Sequence, residues 1–105
     1  METKDIFLDG IRGTQLLKLT FIARNGEVLT RTCAPMDYGP WRRNTSSAEP
    51  RYHFIDLDSS AGAHNLSIVP EQIVILELLD EKFEPGKFIH WVPNWQIVRD
   101  WGIYS

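Results

Sequence analysis

Asn25-Gly26 stands between two runs of strand-forming residues, 15–24 and 27–34. Both residues accept positive φ. The pair therefore predicts a two-residue type I′ turn, whose twist matches that of the strands it joins. Such a turn sets the register of a hairpin from Leu16 to Pro35. Arg24 faces Glu27, Ala23 faces Val28, Ile22 faces Leu29 and Phe21 faces Thr30. Leu17, Leu19, Phe21, Ala23 and Val28 then share a core face. Lys18, Thr20, Ile22, Arg24, Leu29 and Arg31 share a half-wet one. A slip of one residue would exchange the faces of a strand, so this register constrains the chain more than any other feature.

Ahead of the hairpin, 3–12 reads as a short helix. Thr3 is its candidate cap, Asp5 suits the first turn, Phe7, Leu8 and Ile11 fall near one side, and Gly13 ends it. Pro35 should stop the second strand, because it has no amide hydrogen for a ladder. The stretch 36–50 reads as a long loop, with Gly39-Pro40, Asn44-Thr45-Ser46-Ser47 and Pro50 as its turn signals. A third strand follows over 51–57, a loop at Asp58-Ser59-Ser60-Ala61-Gly62, and a short fourth strand over 64–69. A single turn at Pro70-Glu71-Gln72 leads into a fifth strand over 73–79. That strand is apolar on both faces except at Glu77, so it needs cover. The C-terminal tail supplies it, with Phe83, Phe88, Ile89, Trp91, Trp95, Ile97, Val98, Trp101 and Tyr104; Pro93 and Gly102 mark the two ends of a short helix there.

The expected fold is mainly β, a single domain over 1–105. Its form is a small SH3-like or Sm-like five-stranded antiparallel barrel with short N-terminal and C-terminal helices. Closure removes the exposed edges. An open sheet packed by the tail is the alternative.

Composition narrows the function classes. With 43% hydrophobic and 24% charged residues the chain is not disordered. Its one cysteine, Cys33, forbids an internal disulfide and points to a reducing compartment. No apolar run reaches the roughly 20 residues that span a bilayer. Met1 to Asp9 does not read as a secretory or transit leader. The expectation is a cytoplasmic protein without membrane contact. The net charge of −3 is unevenly spread. Arg12, Lys18, Arg24, Arg31, Arg42, Arg43 and Arg51 outnumber the acids over 12–51, whereas 52–81 carries Asp56, Asp58, Glu71, Glu77, Asp80 and Glu81 with no Lys or Arg. One part could face an anion that the other repels, or the two could simply be solvated faces.

Tyr38, Trp41, Arg42, Arg43 and Arg51, with Arg31, form the candidate ligand-binding set. Guanidinium forks suit phosphate or carboxylate, and aromatic faces suit base stacking. The plainer reading has the aromatics pinning the loop and the arginines in water. Trp91, Trp95 and Trp101 form a candidate partner surface, or else the cap of the core. His53, His64 and His90, near Asp56 and Asp58, lack the spacing of a zinc motif. Cys33 falls mid-strand with no helix terminus to activate it, and there is no Gly-x-Ser-x-Gly. No catalytic residue, metal or cofactor is expected, and the chain does not read as an enzyme.

The order of these features resembles the WYL domain of bacterial transcriptional regulators over about 15–85. Arg31-Thr32-Cys33-Ala34-Pro35 is similar to the family's Arg-x-Val-x-Pro strand ending. Tyr52-His53-Phe54 falls at its Trp-Tyr-Leu, Asp58 at a following acid, and Ile73, Leu76 and Leu79 at its next strand. Glu81-Lys82-Phe83-Glu84-Pro85 looks like its closing Phe-x-Pro. Glu71-Gln72 stands where the family has an arginine. The resemblance implies an Sm-like barrel that senses ligands or nucleic acid and regulates transcription. The expectation is therefore a stand-alone WYL-like binding or regulatory module for an anionic ligand, nucleotide or single-stranded nucleic acid. The alternative is a protein–protein interaction module, with a homodimer or protein partner on the Trp-rich tail or an open sheet edge.

Overall fold

The computed structural model describes residues 2–40, 49–58 and 62–105. Helix α1 (Thr3–Gly13) precedes strands β1 (Gln15–Ile22), β2 (Val28–Pro40), β3 (Pro50–Asp56), β4 (His64–Ile68) and β5 (Ile73–Lys82). The strands form one antiparallel sheet in the order β4-β3-β2-β1-β5. The sheet is open, with β4 and β5 as its edges. A single 3₁₀ turn, Pro70–Gln72, joins those two strands, as the Pro-Glu-Gln signal predicted. Gln72 fastens the corner: its Oε1 accepts from the Val69 amide and its Nε2 donates to Ile22 O, both at 3.0 Å.

The hairpin forms, but by a different turn. Gly26 takes φ +89°, and Asn25 does not take positive φ. The Gly26 amide donates to Ala23 O (2.9 Å), the Ala23 amide to Glu27 O (2.8 Å), and the Glu27 amide to Asn25 Oδ1 (3.0 Å). This is a three-residue loop with glycine in the left-handed position, in which asparagine acts through its side chain. The register is therefore one residue from the expected one: Ile22 pairs with Val28, Phe21 with Leu29, Thr20 with Thr30 and Leu19 with Arg31. On β1 the expected faces hold, with Leu17, Leu19 and Phe21 buried. On β2 they are exchanged. Leu29 packs against the core, and Val28 is 63% exposed.

Pro35 does not end β2. The β1 ladder stops at Leu17–Cys33, and from Cys33 onward the strand pairs with β3 instead. The register of that second ladder shifts between Pro35 and Asp37, leaving Met36 as an extra residue. A bulge beside a change of partner is where a strand tolerates a residue without an amide hydrogen. The bulge also exchanges faces, so Pro35 and Tyr38 share one side while Asp37 turns to the other.

Helix α1 covers the first of these sides. Phe7 packs edge-on to Tyr52 (4.9 Å) and Phe54 (5.3 Å), and Ile11 is fully buried. Gly10 lets the helix sit close, since a Cβ there would press on Pro35 and Leu17. The helix ends at Gly13 as expected, but Thr3 is its first helical residue and not its cap. Its N-cap is Glu2, without a side-chain bond, and its left-handed C-cap is Thr14 at φ 48°.

The tail corrects a further expectation. No helix runs between Pro93 and Gly102; among the described residues the tail holds only 3₁₀ turns at Pro85–Lys87 and Gly102–Tyr104. The amides that a helix would use are taken by the sheet: Gln96 N and Ile97 N both donate to the Asp37 carboxylate.

The turn assignment has a direct check. Gly26→Ala should cost about 1–2 kcal/mol by denaturant midpoint, because the left-handed position is forced. Asn25→Ala removes one exposed hydrogen bond and should cost under about 1 kcal/mol. Equal losses at both positions would favour the two-residue turn.

Candidate functional site

Alternation along β3 sorts its side chains. Tyr52, Phe54 and Asp56 face α1, and Arg51, His53 and Ile55 face the opposite, outer side. Asp37 and Gly39 of β2 and Asn65 and Ser67 of β4 lie on that outer side by register. The tail crosses it. The Gln96 side chain lies over Gly39, and a Cβ there would make it move aside.

Arg99 holds the tail down. Its guanidinium lies 4.0 Å from the Trp95 ring centroid and 4.4 Å from that of Trp101. It donates to Ile97 O and Met36 O and pairs with Asp37 Oδ1 at 3.4 Å. The side chain is 0% exposed. Burial draws its pKa down to about 10 against the opposing pull of Asp37, so the group is cationic at neutral pH. Trp95 Nε1 donates to Tyr104 O (2.7 Å) and Trp101 Nε1 to Ile11 O (2.8 Å), which ties the tail to itself and to α1.

Between tail and sheet lies a cavity of about 500 Å³. Trp91 and Trp95 wall it on the tail side, their centroids 6.2 Å apart and edge to face. His53, Asn65, Ser67 and Gln96 supply polar groups, and Pro40 forms part of the wall. His53 is held firmly. Its Nε2 is 2.9 Å from Gly39 O, which can only accept, so Nε2 carries the proton. In the neutral ring Nδ1 then accepts from Ser67 Oγ at 2.7 Å. A neighbouring hollow of about 350 Å³ shares Asn65 and Trp91 and adds His64, Lys87 and His90.

The residues singled out from the sequence are distributed as follows. Arg31 lies on the α1 side, its Nε 3.3 Å from a buried Asp56 carboxylate. Tyr38 is on that side too, stacked on Tyr52 (4.6 Å) with Lys4 over its ring (4.9 Å). Arg51 is on the outer side, opposite Gly39 and one step along β3 from the cavity wall at His53. Tyr38 and Arg51 therefore face opposite ways. Trp41, Arg42 and Arg43 lie outside the described residues. Of the tail tryptophans, Trp101 is buried, Trp95 half-buried, and Trp91 45% exposed. Trp101 also stacks edge-on against Phe83 (5.6 Å) and Trp95 (5.7 Å), in the core.

Asp37, Asn65, Ser67, Gln96 and Arg99 were not singled out. Arg99 had a local signal, a cation two residues before Trp101 and four after Trp95. Asp37 had none, because its orientation depends on the Met36 bulge.

Cys33 is fully buried, and burial first, then Asp56 and Asp58, push its thiol far above the ordinary value, outweighing Arg31. It is held as an inert thiol in the fold. No helix is long and apolar enough to cross a membrane among the described residues. No family model matches the chain, and comparison with curated proteins and with solved structures gives no match.

Two outcomes follow. Arg99→Ala should destabilise by about 3–5 kcal/mol, since it leaves the Asp37 carboxylate half-buried without its cation, and should collapse the near-ultraviolet signal of the stacked indoles. Cys33 should react with a thiol reagent only as fast as the chain opens. Its raised pKa also sets a sign: above pH about 9 the unfolded thiol ionises and the folded one does not, so stability falls as pH rises. Cys33→Ala should remove that component of the alkaline loss.

Proposed function

We propose that this chain is a small WYL-like binding module whose ligand is anionic and carries a planar ring, as a nucleotide or single-stranded nucleic acid does. The reading is carried by the cavity of about 500 Å³ between the outer face of β3–β4 and the tail, walled by Trp91 and Trp95. That size and that mix of aromatic walls with a few fixed polar groups suit a small-molecule pocket. The half-exposed Trp91 offers a face for stacking, and Asn65, Ser67 and Gln96 offer donors and acceptors for a ring edge.

Cations stand at both ends. Arg51 precedes His53 on the same face, and Lys87 lies beyond Trp91 with His64 and His90. At about 3.3 Å per residue the β3 face from Arg51 to Ile55 spans roughly 13 Å. Trp41, Arg42 and Arg43 follow Pro40, itself in the cavity wall, in sequence. The leading helix, the strand order and the single turn before β5 suit an Sm-like or SH3-like sheet, without a β4–β5 ladder among the described residues. The module binds without turnover in this reading, as a regulatory domain would, in the cytoplasm.

The test is a titration of tryptophan fluorescence with nucleoside monophosphates, alongside anisotropy with short labelled RNA and DNA. Binding at low salt should weaken as salt rises. Trp91→Ala should cost about 1–3 kcal/mol of binding with the melting temperature unchanged. Arg51→Ala should reduce the salt slope by about one. No binding at low salt, or binding indifferent to salt, removes the anionic-ligand reading.

A further inference from the structure

We infer that the outer edge of β5 is an acceptor for an added strand, and that its partner is an extended, apolar segment with lysine or arginine at the end beside Glu77, Asp80 and Glu81. The site is separate from the cavity: β3 and β4 lie at one side of the sheet and β5 at the other. Among the described residues β5 pairs with β1 alone, so along its regular stretch, Ile75 to Leu78, the far side presents backbone groups that no described strand pairs with.

Three features distinguish this edge from a merely terminal strand. Its ladder to β1 is regular from Ile75 to Leu78, with irregularities confined to either end. Proteins protect such edges with charged side chains, proline or bulges; β5 contains no proline, and its charges, Glu77, Asp80, Glu81 and Lys82, all lie in its second half. Apolar side chains stand exposed along it as well, Val74 at 56%, Ile75 at 49% and Leu78 at 41%. On the outer face Ile22 (41%) and Val28 (63%) extend the apolar surface beyond Ile75.

Charge selects the occupant. Glu77, Asp80 and Glu81 line the second half of the strand, and Lys82 ends it. Lys18 only grazes Glu77, at 3.9 Å with both about half-exposed, and contributes little neutralisation. A second copy added antiparallel would set each acidic half against the other's apolar Ile73–Leu76 half and leave Glu77, Asp80 and Glu81 without cations. A strand with apolar residues beside Ile75, Leu76 and Leu78 and cations beside Glu77, Asp80 and Glu81 satisfies both halves. Backbone bonds give such strand addition its affinity and side chains its selectivity. For antiparallel addition the cations fall in the partner's N-terminal half.

The test uses a labelled peptide of valines and threonines with three lysines in its N-terminal half, measured by anisotropy against the full chain. The lysine peptide should bind, and its glutamate counterpart should not. N-methylation of alternate amides should abolish binding in one phase and leave it in the other, because only one side of an added strand meets β5. The exposed pair Asp80→Lys with Glu81→Lys should weaken binding roughly fivefold or more while melting is unchanged. Equal binding of the glutamate peptide, or loss of binding in neither phase of N-methylation, overturns the inference. So does a wild-type dimer by light scattering that Glu77→Lys dissociates, since the edge would then serve self-pairing. None of these outcomes bears on nucleotide titration of the cavity, so the two readings fail separately.

Discussion

The buried guanidinium of Arg99 holds the outer layer of the molecule in place. A tail without regular secondary structure has no hydrogen-bond ladder of its own. Its ordering cost, of order 1–2 kcal/mol per residue, has to be offset by contacts elsewhere. Arg99 gathers several at one point: two indole faces, two backbone carbonyls and a carboxylate. Arginine suits this position because its charge is spread over a plane that can stack and donate together, which a lysine ammonium cannot do. With the tail fixed, Trp91 and Trp95 become a wall, and the outer face of β3 and β4 becomes the floor of a cavity.

That arrangement depends in turn on one extra residue in β2. Without the bulge at Met36, strict alternation from Cys33 and Pro35 would point Asp37 toward α1. There it would be a carboxylate on the side that carries Phe7 and Phe54, away from Arg99. The bulge turns it outward instead, where it receives the amides of Gln96 and Ile97 and the Arg99 charge. The same shift keeps Tyr38 on the core side, stacked on Tyr52. One irregularity thus serves both layers, and Pro35 beside it is tolerated for the same reason.

These dependencies explain which parts of the structure were legible in the sequence. Local signals sufficed where chemistry is local. Phe7 and Ile11 on one side of a short helix, the alternation of Leu17, Leu19 and Phe21, and the Pro70-Glu71-Gln72 turn all appear where their patterns placed them. The hairpin exposed the limit of that reasoning. Asn25-Gly26 fits two turns, and the choice between them is made by the Asn25 side chain and by burial of Leu29 in place of Val28. The register moved by one residue, and Arg31 went from the wet face to the side of Asp56. Pro93 and Gly102 mimicked helix ends for a related reason: the amides between them are claimed by Asp37, more than fifty positions away. The cavity was not legible, because it joins β2, β3, β4 and the tail through the bulge.

The sheet is consequently asymmetric. On the β2–β4 side both faces are covered, one by α1 and the other by the tail, and a half-open hollow lies between tail and sheet. On the β1–β5 side only the α1 face is covered. The outer face there shows Lys18, Thr20, Ile22 and Ile75, and the last strand has no neighbour beyond β1 among the described residues. The tail's polar anchors include Asp37 and Met36 O on β2 and Ile11 O on α1. The acids on β5 limit what can cover the rest: they tolerate the apolar contacts that Ile75 and Leu78 invite while opposing a partner of like charge. Hollow and open edge thus lie at opposite sides of the sheet, the hollow beside the Arg99 anchor and the edge away from it.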